Sequence, residues 1–323
     1  MKKEEKHLKS SLINIKQQEP KRFLTKRILT LFILMMIGVA IFFYLYTIYD
    51  EIGQAYRTSI EAPSSQTTET MKQSPIDQHE AVTFLIVGVD YGHAGRLEEK
   101  RANVITTLTI NPKTKQSVQV NLSRLLKDKT QDVTLSHAYM NGGIKTIKAE
   151  VESLLNIPID HTLMIEFSEL RPLLDQLGGL DLEIEEAITL GEQRFSAEQT
   201  VHLSSREVML YLQAQTDESE WDHSQRQIQV LEEISQTLFA TFSDIRRLPQ
   251  LSQYFTKAEG LLVTDVTYET LVNFVRNNYI NSLVQRSKIN LRGEYQAEEI
   301  PYELMNDQRL ERTKQELYQV IGQ

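Results

Sequence analysis

The sequence predicts a layered α-β-α domain on a central mixed sheet, carried behind one N-terminal transmembrane helix. Three observations predict it. Residues 28–49 are uncharged and almost wholly apolar. Beyond them, short apolar or alternating runs interleave with helical patterns, the mark of a layered α/β fold. Residues 104–110 and 117–122 alternate on either side of Asn-Pro-Lys-Thr-Lys, which reads as a hairpin within that sheet.

In chain order, residues 1–27 form a basic tail. Nine Lys or Arg against three Glu give it +6, which leaves −15 on the rest of a chain of net charge −9. A helix over residues 28–49 spans roughly 33 Å, enough for a hydrocarbon core of about 30 Å. Lys21, Arg22, Lys26 and Arg27 precede it; Asp50 and Glu51 follow. The positive-inside rule puts the N-terminus in the cytoplasm and the body outside. The run is long for a signal peptide and no small-x-small site follows Ala40 before Asp50, so an uncleaved anchor is expected. Residues 50–81, rich in Ser, Thr, Gln and Pro from Arg57 onward, read as an exposed linker.

The core is expected over residues 82–245. A strand over residues 84–89 is stopped at Asp90. In the hairpin, alternation pairs Leu108 with Val120 and Ile110 with Val118, which sets Arg124 beside Val104. If the strand ending at Asp90 runs parallel to the second arm, Asp90, Arg101, Asn103 and Arg124 converge on one rim of the sheet. Strict alternation sends Arg101 and Asn103 to the face opposite Arg124, so convergence requires a bulge or a bend. A helix follows over 144–155, a strand over 162–167, a helix over 170–177 ended by Gly178-Gly179, and a strand from Leu182. Ser204 and Glu207 form a capping-box pattern opening a helix through Leu212. After an acidic turn comes a long helix with Ile228, Leu231, Ile234, Leu238 and Phe242 on one face. Residues 246–323 read as a C-terminal helical extension, with helices over 268–279 and 306–321.

Several chemistries are excluded. The absence of cysteine removes disulfides, thiolate metal sites and cysteine nucleophiles. There is no Walker loop, dinucleotide fingerprint or His-Glu-x-x-His. The N-terminal lysines are explained by topology and anionic lipid, so no nucleic-acid partner is expected.

Several short pieces, in order, resemble the LytR–CpsA–Psr family, membrane-anchored proteins of Gram-positive envelopes. They are Phe84-Leu-Ile-Val-Gly-Val-Asp90, Arg101-Ala-Asn103, the hairpin ending at Arg124, Ser136-His-Ala-Tyr with Gly142-Gly143, Leu177-Gly-Gly-Leu-Asp181, and Arg226-Gln227. The resemblance covers residues 84–238. It implies that the sheet and its helices enclose an apolar groove for a polyprenyl lipid. It implies catalytic roles for Asp90, Arg101 and Arg124. Head-group binding falls to Arg101, Arg124, Gln213, Gln215, His223, Arg226 and Gln227, and Mg2+ placement to Asp90 and Asn103. The implied partners are the membrane, a polyprenyl-linked glycopolymer and peptidoglycan. Arginine suits the task because its planar fork meets phosphate oxygens two at a time.

The chain also departs from the family pattern. Asn103 stands where the family has Asp, Leu125 where it has Asp, and Gln213 and Gln215 where it has arginines; Glu220 and His223 replace Asp and Arg. An amide donates hydrogen bonds but brings no charge. His223 is either a surface residue at a helix start or a phosphate donor, and Trp221 either a lip residue or a core anchor. Two functions stay open. One is a transferase moving an anionic glycopolymer, teichoic acid or capsule, from a polyprenyl-pyrophosphate carrier to peptidoglycan. The other is a catalytically weakened accessory that binds polyprenyl phosphate or a paralogue. A purely structural role would place an envelope-protein partner on residues 246–323.

Overall fold

The computed structural model describes residues 19–62, 80–90, 101–127, 133–214, 220–283 and 286–322. The chain divides into two units, residues 1–51 and residues 52–323. Helix α1 (Glu19–Tyr56) is long and apolar enough to cross a membrane, and its side chains over residues 33–46 are exposed. It runs into a π-helical turn, Arg57–Glu61. The linker expectation is corrected here. Tyr56, Ser59 and Ile60 are buried, the Tyr56 hydroxyl donates to the Val266 carbonyl at 2.8 Å, and the Glu61 carboxylate accepts from the Tyr268 amide. Tyr56 and Ile60 sit four residues apart on one helical face, a stripe hidden by the polar composition around them. The remainder of the expected linker, residues 63–79, lies outside the described residues.

The second unit is built on a six-stranded mixed sheet. Its elements are β1 (Val82–Asp90), β2 (Arg101–Asn111), β3 (Gln116–Leu122), β4 (Leu126–Lys127), α2 (Leu135–Leu155) and β5 (His161–Glu166). Next come α3 (Arg171–Leu177), β6 (Leu180–Ile184), β7 (Ile188–Leu190), β8 (Gln193–Phe195), β9 (Gln199–Leu203), α4 (Ser205–Gln213), α5 (Glu220–Phe242) and α6 (Leu251–Lys257). The chain closes with β10 (Leu262–Thr264), α7 (Tyr268–Arg276), α8 (Tyr279–Ser282), β11 (Arg286–Leu291), β12 (Glu294–Gln296), β13 (Tyr302–Leu304) and α9 (Asp307–Ile321). The strand order is β10-β5-β1-β2-β3-β11. β1 is parallel to β5 and antiparallel to β2, β2 is antiparallel to β3, and β3 is parallel to β11. β1, β3, β5 and β11 therefore point one way, and all four carboxyl ends reach one edge.

The predicted hairpin register is corrected by one residue. Leu108 faces Gln119, Thr109 faces Val118 and Thr107 faces Val120. The loop decides this, not the hydrophobic alternation. Residues 112–115 form a four-residue turn closed by the pair Asn111–Gln116, with Lys115 at φ 57° and the Asn111 side chain accepting from the Lys113 amide. Both faces of these central strands are covered, so alternation does not distinguish an inner face from an outer one. A second correction concerns residues 246–323. They are not a helical appendage: β10 and β11 are the two edge strands of the central sheet, and β12 and β13 form a smaller sheet with β4.

The two faces of the sheet differ. On one, Leu85, Val87, Ile105, Val118, Val120 and Leu122 pack with Ile147 and Val151 of α2 and Leu310 and Leu317 of α9. On the other, under α5, Thr106 donates to Asn121 Oδ1 (2.6 Å), Gln119 bridges Asn121 (2.9 Å) and Glu232 (3.0 Å), and Asn121 donates to Asn290 (3.0 Å). Lys288 closes the network on Glu232 at 2.5 Å. Toward β1 and β5 this second face turns apolar, with Ile86, Val104, Leu163 and Ile165 joining the helices α3 to α6 in one core. Four short strands between α3 and α4, mostly unforeseen from sequence, pair as β6–β9 and β7–β8. The capping box at Ser204 and Glu207 forms as expected.

Candidate functional site

In an open α/β sheet, ligands bind in the crevice beyond the carboxyl ends of the parallel strands. Here Asp90 closes β1, Arg124 lies two residues past β3 and Arg292 one residue past β11. β2 runs the other way, so its first residue, Arg101, arrives at the same edge, paired with Asp90. The register shifts between Gly88, opposite Val104, and Val89, opposite Ala102. Asn103 is thus the extra residue of a β-bulge, the irregularity that convergence required. Its carbonyl accepts from Ser224 Oγ at 2.8 Å, which ties the first turn of α5 to the rim.

Arg101, Arg124 and Arg292 line one open cleft of about 650 Å³. Arg124 is buried, and its carbonyl accepts from the Ser136 amide at 3.0 Å, so the loop after β3 is pinned to the start of α2. Thr134 caps that helix: its hydroxyl contacts His137 Nδ1 at 2.9 Å and accepts from the His137 amide. Thr134, Ser136 and His137 therefore present a capped helix N-terminus to the cleft. Arg101 Nε and Ser136 Oγ are buried without a hydrogen-bond partner among the described residues. Buried polar atoms are nearly always satisfied, so a ligand or water is the expected counterpart. Trp221 is buried and forms part of the wall, which places it as lip and anchor at once. Tyr295, Ile300 and Pro301, on or between β12 and β13, complete the far side.

The remaining head-group candidates stand elsewhere. Arg226 is buried, donates to the Ala214 carbonyl at 2.6 Å and lies 5.5 Å from the Tyr211 ring centre, so it clasps the end of α4 to the start of α5. Its Nη2 also reaches His223 Nδ1 at 3.1 Å. That nitrogen accepts, so a neutral His223 carries its proton on Nε2, 3.1 Å from the Gln227 amide nitrogen. Gln227 Oε1 has no partner among the described residues. Turning the amide brings its oxygen to His223 Nε2–H. Half-buried His223 is thus bound into this knot. Gln213, His223, Arg226 and Gln227 do not line the cleft, and Gln215 lies outside the described residues.

A metal tests less simply. No three His, Asp or Glu side chains stand together among the described residues. Asp90 and Asn103 offer one carboxylate and one amide at the bulge. That donor set suits an ion such as Mg2+, which takes one or two protein oxygens and fills its shell with water and substrate phosphate.

Sequence reasoning missed Arg292 and the β12–β13 wall. The alternating Arg-Ser-Lys-Ile-Asn-Leu before Arg292 was the available signal for a strand ending in a charge.

Comparison with known proteins adds four findings. The LytR_cpsA_psr family model matches residues 43–319. The polyisoprenyl-teichoic acid–peptidoglycan teichoic acid transferase TagU of Enterococcus faecalis is 25% identical over 265 residues, 78% of this chain and 84% of that one. The fold is also that of TagT bound to LIIa-WTA, with TM-score 0.61, 19% identity, and coverage of 80% of this chain and 96% of TagT. Bacillus subtilis TagV superposes with TM-score 0.61 and 19% identity, covering 78% and 99%.

Proposed function

The chain belongs to the LytR–CpsA–Psr family, and from that premise we propose that it transfers an anionic glycopolymer, teichoic acid or capsule, from a polyprenyl-diphosphate carrier to peptidoglycan. The observation that carries the proposal is the meeting of Arg101 and Arg124 in one cleft beyond the strand ends. Fixed guanidinium groups stabilise the charge that develops as a diphosphate bond breaks. An acceptor hydroxyl oxygen forms the new bond to the phosphorus that carries the polymer. The bond from that phosphorus to the bridging oxygen breaks, and polyprenyl phosphate leaves. Asp90, paired with Arg101 at the rim, would take the hydroxyl proton. Mg2+, held by Asp90 and Asn103, would neutralise diphosphate charge. The polyprenyl chain would start on the apolar residues of the cleft, Met140, Trp221, Tyr295 and Ile300, and helix α1 would anchor the protein with its body outside the cell.

One observation favours the accessory reading. Arg226 holds the end of α4 to α5, Gln227 meets His223 within α5, and Gln213 brings no charge, so fewer cations face the substrate than the family pattern supplies. The full chain in detergent, given lipid-linked polymer, Mg2+ and peptidoglycan, should yield linked polymer. Arg124→Ala should lower that yield by about 100-fold, the typical cost of one stabilising donor. Absence of product, with polyprenyl phosphate found in the purified protein by mass spectrometry, would establish the accessory role instead.

A further inference from the structure

We propose that Arg292 is a third diphosphate-binding residue, supplied by the C-terminal segment where Gln213 and Gln215 bring no charge. The inference rests on the diphosphate reading above and identifies a residue outside the motifs that led to it.

Topology brings Arg292 to the cleft. β11 lies beside β3 in parallel, with Leu291 level with Leu122, and the Ser123 amide donates to the Leu291 carbonyl at 3.1 Å. Arg124 and Arg292 therefore leave adjacent strand ends together. Three contacts hold Arg292 in place. Its Nη2 donates to Glu303 Oε1 at 3.1 Å, its guanidinium carbon lies 5.2 Å from the Trp221 ring centre, and its carbonyl accepts from Arg309 Nη1 at 3.2 Å. Glu303 is itself buried, and its other oxygen takes the Gly293 amide at 3.1 Å.

The carboxylate thus grips one corner of the guanidinium, and each of its oxygens is engaged by a donor. Arg292 Nε and Nη1 have no hydrogen-bond partner among the described residues. A planar fork fixed at one corner and stacked on an aromatic face loses little freedom when its other donors meet phosphate oxygens. A carboxylate so close offsets part of the charge. The pairing therefore suits the larger charge and the additional oxygens of a diphosphate over those of a monophosphate. Glu299, also on the cleft wall, adds to that discrimination.

Geranyl diphosphate and geranyl monophosphate serve as probes, titrated by calorimetry into the full chain in detergent. Trp221 is the single tryptophan, so its emission reports occupancy of this cleft in the same samples. Arg292→Gln should weaken geranyl diphosphate by about 10-fold or more, the size expected for a charge-assisted hydrogen bond, and the monophosphate by less. Binding within about twofold of the parent would overturn the role of Arg292 on the same scale. Arg124→Gln is run beside it. Loss in that variant alone overturns the Arg292 inference and leaves the diphosphate reading standing. Failure of the parent protein to bind either probe overturns both. Should Arg292→Gln not fold, Arg292→Lys decides: the charge remains and the fork is lost, so the preference for diphosphate over monophosphate should fall by about threefold. An unchanged preference overturns the inference.

Discussion

The two faces of the central sheet are made of different material. The face toward α2 and α9 is packed with aliphatic side chains such as Leu85, Ile105 and Val120. The face toward α5 carries, over β2, β3 and β11, a connected set of amides, a hydroxyl and a carboxylate: Thr106, Gln119, Asn121, Asn290 and Glu232. Stability on the first face comes from burial, which is non-directional and forgiving of small shifts. On the second it depends on every polar atom finding a partner. A buried network fixes where strands and helix sit, and the end of that same helix is tied to the bulge at Asn103. The polar stretch therefore holds register at the edge where the arginines converge, while burial on both sides of the sheet supplies the driving force.

That contrast is open to test. The largest effect is expected on the apolar face. Ile105 is fully buried, and Ile105→Ala should cost about 2–5 kcal/mol in denaturant-induced unfolding, through lost burial and the cavity left behind. On the polar face, Asn121→Ala removes the node that joins Thr106, Gln119 and Asn290. The expected cost is about 1–3 kcal/mol, from stranded buried groups and not from lost packing. Equal losses in the two variants, or none in the second, would erase the distinction. The smallest effect belongs to a purely local interaction remote from both faces. Ser204→Ala removes the cap of α4 and should cost about 1 kcal/mol at neutral pH. The Ser204 hydroxyl and amide hold the Glu207 carboxyl below its ordinary range. Its contribution is thus present above the unfolded value of 4.5 and is lost as pH falls through the lower folded value. The gap in unfolding between the parent and Ser204→Ala, followed from pH 7 to pH 3, should narrow in acid, while the bond from the Glu207 amide to the Ser204 hydroxyl remains.

Much of this is legible in the sequence alone. The strand ending at Asp90, the hairpin, the capping box and the long amphipathic helix each carry a local signal that tertiary context did not override. The bulge was anticipated because alternation alone left Arg101 and Arg124 on opposite faces. The register was not, because a loop of four residues and of five both suit Asn-Pro-Lys-Thr-Lys, and only the paired backbone chose between them. Arg226 was readable as a motif residue, but not as a clasp, since its partners Ala214 and Tyr211 are defined by how two helices meet.

By itself the sequence determined the apolar N-terminal helix, the alternation of strands and helices, and the residues that close β1 and β3, because each depends on side chains near one another in the chain. Only the tertiary structure decided which arginines share a cleft. Arg292 follows Arg124 by 168 positions in the chain. Parallel pairing of β11 with β3 makes them neighbours, and that pairing is set by backbone hydrogen bonds between distant segments, of which no local pattern carries a trace.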